Sequence, residues 1–104
     1  MSLEYLAQMA IKRREAFKNL KQHLRQIKTI VQEIDQDAEV YLFGSVPENN
    51  YNYSSDIDVL IITKSNQDEV RVKLWKADIN EPFELHIHSQ EKAQRFRGKL
   101  YKVE

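Results

Sequence analysis

Apolar residues recur every three or four positions through the first third of the chain. This is the period of an amphipathic helix, so the pattern predicts one long helix from Leu3 to Ile34. Ser2 can cap its start, and a helix of this length favours a break, which we place near Lys12 to Glu15. The apolar stripe consists of Leu6, Ala10, Phe17, Leu20, Leu24, Ile27, Val31 and Ile34.

Three later segments predict β-strands. Glu39 to Phe43 is rich in β-forming residues, and Ile57 to Ile62 is almost continuously apolar, as in a strand covered on both faces. Phe83 to His88 alternates between apolar and polar residues, which favours a strand with one buried face. Its inward set is Phe83, Leu85 and Ile87, and its opposite set is Glu84, His86 and His88.

Two more helices are predicted in the second half. Asn66 is a suitable cap for the first, whose core face would contain Val70, Leu74 and Trp75. Ser89 would cap a final basic helix that extends to about Leu100. The resulting order is helix, strand, strand, helix, strand, helix. It predicts an α/β (α+β) fold with a small mixed sheet of three or more strands backed by helices.

Composition excludes several classes of protein. The chain of 104 residues is expected to form a single domain over 1–104, and its 16 basic residues balance its 16 acidic ones. The absence of cysteine excludes a disulfide scaffold, a zinc–cysteine site and a cysteine nucleophile. The longest apolar run, Val59 to Ile62, is far too short for a membrane span, and no signal peptide is recognisable. We therefore expect a cytoplasmic protein without membrane association.

The charges are unevenly distributed along the chain. Basic residues concentrate between Lys12 and Lys28 and again after Glu91, and each run is typical of a solvated helix face. No lysine or arginine lies between Lys28 and Lys64, although seven acids do. Packing those acids together costs repulsion energy unless a cation lies among them.

Asp56 and Asp58 are the first candidates for chemistry in this acidic window. Residues two apart in a strand share a face, so both carboxylates can converge on one or two hard cations. Oxygen ligands without cysteine favour Mg²⁺ or Mn²⁺. The alternative for an isolated Asp-x-Asp is a surface turn or cap.

Other candidates are weak when taken singly. Gly44 and Ser45 end a predicted strand, where a glycine allows close backbone approach and the following amides favour a phosphate. Glu84 is one more carboxylate on a neighbouring strand. His86 and His88 share its face, as polar spacers, substrate contacts or, least favoured, transition-metal ligands. Tyr51 and Tyr53 either stack on a base or pin their loop to the surface.

The combination of these segments resembles the minimal nucleotidyltransferase family, relatives of the DNA polymerase β catalytic core. The shared pattern is Gly44-Ser45, a polar loop, Ser55-Asp56-Ile57-Asp58 followed by apolar residues, and Glu84 on a later strand, within about residues 38–90. The resemblance implies that Gly44, Ser45 and Ser55 bind a nucleotide. It also implies that Asp56, Asp58 and Glu84 are catalytic and hold two Mg²⁺ ions, with Mn²⁺ as a substitute.

The resemblance implies an enzyme that transfers a nucleoside monophosphate from a nucleoside triphosphate, with ATP favoured, to a hydroxyl acceptor. Small family members commonly pair with a helical HEPN-type protein in toxin–antitoxin systems, so such a partner is expected, and a second copy of the chain is another candidate. The alternative is a weakly active or inactive antitoxin or nucleotide-binding subunit that acts through protein–protein binding. Glu48 favours it, since the family often has a basic residue and a second glycine after Gly-Ser. Nucleic-acid binding through the basic N-terminal helix is the weakest hypothesis.

Overall fold

The computed structural model describes residues 2–52 and 54–104. Their elements, in chain order, are α1 (Leu3–Lys18), α2 (Leu20–Ile34), β1 (Glu39–Phe43), β2 (Ile57–Ile62), α3 (Gln67–Lys76), β3 (Phe83–His88), α4 (Gln90–Ala93) and β4 (Tyr101–Lys102). The three predicted strands occur with the predicted bounds, and the predicted mixed α/β fold is confirmed.

The long N-terminal helix is divided at Asn19, not near Lys12 to Glu15 as expected. Asn19 leaves helical geometry (φ −110°, ψ 34°), and its side-chain amide donates to the Glu15 carboxylate at 3.0 Å. Asparagine side chains compete with the backbone for such local hydrogen bonds, which explains the position of the break. The spacing of apolar residues also predicts more burial in α1 than the structure has. Leu6 in α1 is exposed, whereas Leu24, Ile27 and Val31 in α2 are buried.

The sheet has the order β3-β2-β1-β4. β1 is antiparallel to both β2 and β4, while β2 and β3 are parallel, so the sheet is mixed. Along β2, Ile57, Val59 and Ile61 enter the main core beneath α2 and α3. The residues between them point the other way, where Leu60 and Ile62 form a smaller cluster with Phe96 and other side chains. Asp58 belongs to this second face of the sheet.

Helix α3 begins as predicted, because the Asn66 side chain accepts hydrogen bonds from the amides of Asp68 and Glu69. Val70 and Leu74, one turn apart, are buried. The prediction that Trp75 lies in the core is wrong, since this residue is 68% exposed. One residue beyond Leu74 is about 100° around the helix, which turns Trp75 towards solvent.

The prediction of a basic helix up to Leu100 is also wrong. Ser89 caps the helix as expected, but α4 ends at Ala93. The chain then returns as β4 to pair with β1, and the Val103 amide donates to the Val40 carbonyl at 2.8 Å. This pairing provides hydrogen-bond partners for backbone groups on the free edge of β1. It is a long-range interaction, which helix periodicity in the sequence does not reveal.

A buried carboxylate joins the end of α2 to the end of β2. Asp35 is 6% exposed and accepts hydrogen bonds from the Thr63 hydroxyl at 2.7 Å, the Lys64 amide at 3.2 Å and the Asp37 amide at 3.1 Å. These donors, with the Thr63 hydroxyl foremost, hold the pKa of Asp35 below its usual value, although burial opposes them.

None of the described helices is both long enough and apolar enough to cross a membrane.

Candidate active site

Register in the sheet brings two of the candidate acids together. Asp58 on β2 is paired with Glu84 on the parallel strand β3 and with Phe43 on the antiparallel strand β1. Paired residues of adjacent strands project from the same face, with the strands about 4.8 Å apart. The side chains of Asp58 and Glu84 therefore occupy neighbouring positions on the second face of the sheet.

His86 completes a cluster with these two acids. It lies two residues beyond Glu84 on β3 and so shares its face. The His86 Nε2 atom is 3.5 Å from Asp58 Oδ1 and 3.6 Å from Glu84 Oε1. One donor atom from each of the three side chains lies within 4.8 Å of the other two. Carboxylate oxygens and an imidazole nitrogen in this arrangement are a donor set that fits a divalent metal ion.

Aromatic side chains enclose the imidazole on this face. The ring of His86 makes edge contacts with Phe43 at 5.0 Å and Phe96 at 6.1 Å between centroids, and Phe96 also contacts His88 at 5.6 Å. Burial is the main cause of a lowered pKa at His88, which favours its neutral form. This face of β3 is therefore partly shielded from water at His86 and His88, although β3 is an edge strand of the sheet.

The cluster has little compensating positive charge. Among the ion pairs of the described residues, none joins Asp56, Asp58 or Glu84 to a lysine or arginine. Asp58 is half-buried, with 24% of its side chain exposed. Two carboxylates placed side by side repel one another, and a bound cation would remove this repulsion.

Gly44 lies against Asp58 where β1 ends. Its φ of +83° belongs to the left-handed region, which glycine adopts without steric cost. A Cβ atom on Gly44 would lie only 2.5 Å from Asp58 Oδ2. A glycine is thus required both by the backbone angle and by the closeness of this carboxylate. The turn that follows, from Ser45, is closed by a hydrogen bond from the Asn50 amide to the Ser45 carbonyl at 3.0 Å.

Asp56 lies outside the cluster formed by Asp58, Glu84 and His86. It is exposed and immediately precedes β2. The spacing of Asp56 and Asp58 predicted that both carboxylates would converge, but Asp56 is not one of the three side chains whose donor atoms lie close together. Ser55 is half-buried, and its hydroxyl accepts a hydrogen bond from the Asn52 amide at 3.2 Å. Its carbonyl accepts one from the Arg13 guanidinium at 2.6 Å.

Sequence reasoning gave too little weight to two residues here. The alternation of β3 placed His86 on the face of Glu84, but its approach to Asp58 follows from strand pairing, which the sequence does not display. Arg13 was missed altogether. Its guanidinium, donating to Ser55 and paired with Glu81 at 2.8 Å, links α1 to the loops that precede β2 and β3. Contacts across 42 residues of sequence leave no local signal.

Of the two tyrosines that were candidates for base stacking, Tyr51 stacks on Phe17, with ring centroids 5.1 Å apart and planes 5° from parallel. This contact pins the loop to α1, the second of the two interpretations. Tyr53 lies outside the described residues.

The comparisons with known proteins agree with the fold. The family profile of the nucleotidyltransferase domain matches residues 24–104. The chain belongs to the nucleotidyltransferase family. The match begins within α2, so α1 lies outside it.

Two solved structures are similar to this nucleotidyltransferase-family chain. One, assigned as a nucleotidyltransferase, is 36% identical, with a TM-score of 0.64, covering 79% of this chain and 98% of its own. The second, from Sulfolobus solfataricus and assigned likewise, is 20% identical, with a TM-score of 0.56, covering 90% of this chain and 85% of its own. At that identity, the second likeness concerns the fold alone. No curated protein matches the chain at a significant level.

Proposed function

We propose that the chain transfers a nucleoside monophosphate from a nucleoside triphosphate, with ATP as the expected donor, to a hydroxyl acceptor. The observation that carries this proposal is the register of Asp58 with Glu84, with Gly44 packed against Asp58. Paired carboxylates beside a glycine-ended strand provide adjacent places for a divalent cation and for a phosphate chain. Membership of the nucleotidyltransferase family supports the same reaction class.

The reaction balances as a displacement at phosphorus. The acceptor oxygen forms a bond to the α-phosphorus, and the bond from that phosphorus to the α–β bridging oxygen breaks. Pyrophosphate leaves with the electron pair, and the hydroxyl proton is released to a base. Glu84, half-exposed at the edge of the cluster, is the residue we propose to accept this proton or to complete the metal site.

The residues proposed to hold the divalent ions are Asp58 and Glu84, joined by Asp56 from the loop before β2. Mg²⁺ is the expected ion, with Mn²⁺ as a substitute, because the acids supply hard oxygen ligands. Two such ions, when bound, would lower the pKa of the acceptor hydroxyl and neutralise charge on the departing pyrophosphate.

Gly44, Ser45 and Ser55 are proposed to position the nucleotide. Gly44 leaves its backbone uncovered beside Asp58, and Ser45 begins the turn that follows, where an amide and a hydroxyl are available to phosphate oxygens. Ser55 lies directly before Asp56, in a loop that Arg13 fastens to α1. Arg13 thereby supports the orientation of the nucleotide rather than the chemical step.

A second candidate function is a subunit that binds a nucleotide or a partner with little transfer activity, as an antitoxin would. The turn after Gly44 favours it, because Glu48 stands where the family often has a basic residue, and its carboxylate accepts a hydrogen bond from the Tyr101 hydroxyl at 2.8 Å. A helical partner of the HEPN type would then be the protein bound. Leu3, Leu6 and Ile11, which are exposed on α1, provide apolar surface for it.

Label transfer from the two ends of the triphosphate separates these candidates. Cell extract heated to inactivate its own kinases and transferases supplies acceptors, and ATP is labelled on either the α- or the γ-phosphate. Nucleotidyl transfer predicts that the α-label enters an acceptor and that the γ-label leaves as pyrophosphate. The control Asp58→Asn should transfer neither label. Incorporation of the γ-label, or equal α-labelling by Asp58→Asn, would refute the proposal, and nucleotide binding without transfer would favour the second candidate.

A further inference from the structure

The imidazole of His86 is aimed at the two carboxylates without a hydrogen bond that explains its position. Its Nε2 atom is buried and has no hydrogen-bond partner within the described part of the chain. The two carboxylate oxygens beside it are Asp58 Oδ1, at 3.5 Å, and Glu84 Oε1, at 3.6 Å. A buried polar nitrogen without a hydrogen bond is costly, unless a further group uses its lone pair.

The ring is held in this orientation by its surroundings. β3 is hydrogen-bonded along its length to β2, and the rings of Phe43 and Phe96 contact the imidazole from the sides. A ligand on a strand, confined by packing, loses little side-chain entropy when an ion binds. His86 is accordingly held by both its backbone and its packing, and its side chain is less exposed than that of Glu84, 29% against 53%.

The other two histidines also each have a buried ring nitrogen, Nδ1, without a hydrogen-bond partner among the described residues, so what distinguishes His86 is the pair of carboxylates beside its Nε2 atom. His23 contacts a single acid, Glu15, through both carboxylate oxygens at 3.0 and 3.1 Å. His88 lies on the same face as His86 but contributes to no group of three metal-binding side chains. Across residues 2–52 and 54–104, the convergence of Asp58, Glu84 and His86 is the one such group.

We propose that His86 is a metal ligand through Nε2, and that it directs the site towards a borderline divalent transition ion such as Co²⁺ or Zn²⁺ in preference to Mg²⁺. The inference rests on the proposed metal site and changes its expected occupant. Imidazole nitrogen suits these transition ions, whereas Mg²⁺ keeps a shell of hard oxygen ligands and water. An all-carboxylate site would lack this preference.

The three histidines of the chain permit a direct test on the unaltered protein. Zn²⁺ and Mg²⁺ are titrated separately, and long-range ¹H–¹⁵N correlation spectra report on each imidazole nitrogen. We expect Zn²⁺ to shift the Nε2 resonance of His86 and to leave that of His88 near its starting position. A zinc response confined to His23 or His88, or no imidazole response at a zinc concentration that occupies the Asp58 site, would overturn the proposal.

Calorimetry on variants gives the second measurement. His86→Asn should weaken Zn²⁺ binding roughly tenfold or more while changing Mg²⁺ binding less than about threefold. His88→Asn is the matched control on the same strand and should alter neither. Equal losses of both ions in His86→Asn, or no change in Zn²⁺ binding, would contradict the ligand assignment.

Asp58→Asn separates this inference from the proposed function. If Asp58→Asn weakens both ions and His86→Asn weakens neither, the carboxylate metal site stands and His86 is not a ligand. If Asp58→Asn also has no effect, the metal site itself fails and the inference fails with it. Circular dichroism of each variant verifies that the fold is retained.

Discussion

At residue 44, the absence of a side chain determines how closely β1 can approach the acid on β2. Gly44 has a φ of +83°, and a Cβ atom there would be 2.5 Å from Asp58 Oδ2. Real Cβ atoms do not approach other atoms so closely, so any substitution must move Asp58 or the end of β1. Stability and site geometry are therefore coupled at this one position.

We expect Gly44→Ala to lower both the free energy of unfolding and the affinity for divalent ions. The left-handed backbone alone should cost about 1–2 kcal/mol, and displacement of Asp58 should add the loss of ion binding. Gly98→Ala is the matched control, because Gly98 has a φ of +90° but no atom lies within 4 Å of the place that its Cβ would take. Urea unfolding and calorimetry should show that Gly98→Ala loses stability alone. Undiminished ion binding in Gly44→Ala would contradict this account.

Among the elements, the junction of α2 with β2 depends on the charge of Asp35. The pKa of this carboxylate is lowered by the Thr63 hydroxyl and by backbone amides, so its folded value lies below the ordinary 3.8. Above pH 3.8 the group is ionised in both states and its stabilising contribution is complete. As the pH falls through the lower folded pKa, the unfolded chain binds the proton first and this contribution is lost.

Asp35→Asn should therefore flatten the acid limb of the stability profile. We expect the free energy of unfolding of the wild type to fall below about pH 3.8 more steeply than that of Asp35→Asn, since the variant has no carboxylate to protonate. Urea unfolding between pH 7 and pH 2.5 measures the difference. Asp37→Asn, which alters a largely exposed acid on the same connection, should keep the wild-type slope. Parallel profiles for the wild type and Asp35→Asn would exclude this role.

Helix α1 acts on the site through Arg13, which joins the loops before β2 and β3 by its contacts with Ser55 and Glu81. We expect Arg13→Gln to increase amide hydrogen exchange at Ser55 and at neighbouring Ile57, because the loop loses a charge-assisted hydrogen bond. Exchange measured by NMR should be unchanged in Arg14→Gln, where the substituted residue is exposed. Wild-type exchange in Arg13→Gln would show that α1 does not hold this loop.

How far sequence patterns predict an element depends on how local its cause is. The strand bounds of β2 and the cap of α3 were predicted because apolar runs and an Asn66 side chain act within a few residues. The exposure of Trp75 and the short α4 were not predicted. The first depends on which face of α3 packs against the rest of the protein, and the second on the pairing of β4 with β1. Both are contacts between residues far apart in the sequence.

For the whole molecule, the order of the strands is what turns separate motifs into one site. Asp58 was a candidate from its local pattern, whereas Gly44 and Glu84 became candidates only through the combined motif, and only the pairing of β1, β2 and β3 places the three side by side. The sequence could not provide the parallel register of β2 with β3, on which the approach of His86 to Asp58 depends. It also provided no reason to exclude Asp56 from the close cluster, since that depends on the path of the loop before β2.

The central claim is that the carboxylates of this site bind a nucleoside triphosphate through a divalent ion. Calorimetric titration of MgATP tests it most directly, in the presence and absence of EDTA, with the wild type, Asp58→Asn and the exposed-acid control Asp68→Asn on α3. The account predicts metal-dependent binding by the wild type and by Asp68→Asn, and a loss of roughly tenfold or more in Asp58→Asn. Nucleotide binding that persists in EDTA, or that is equal in Asp58→Asn and the wild type, would contradict it.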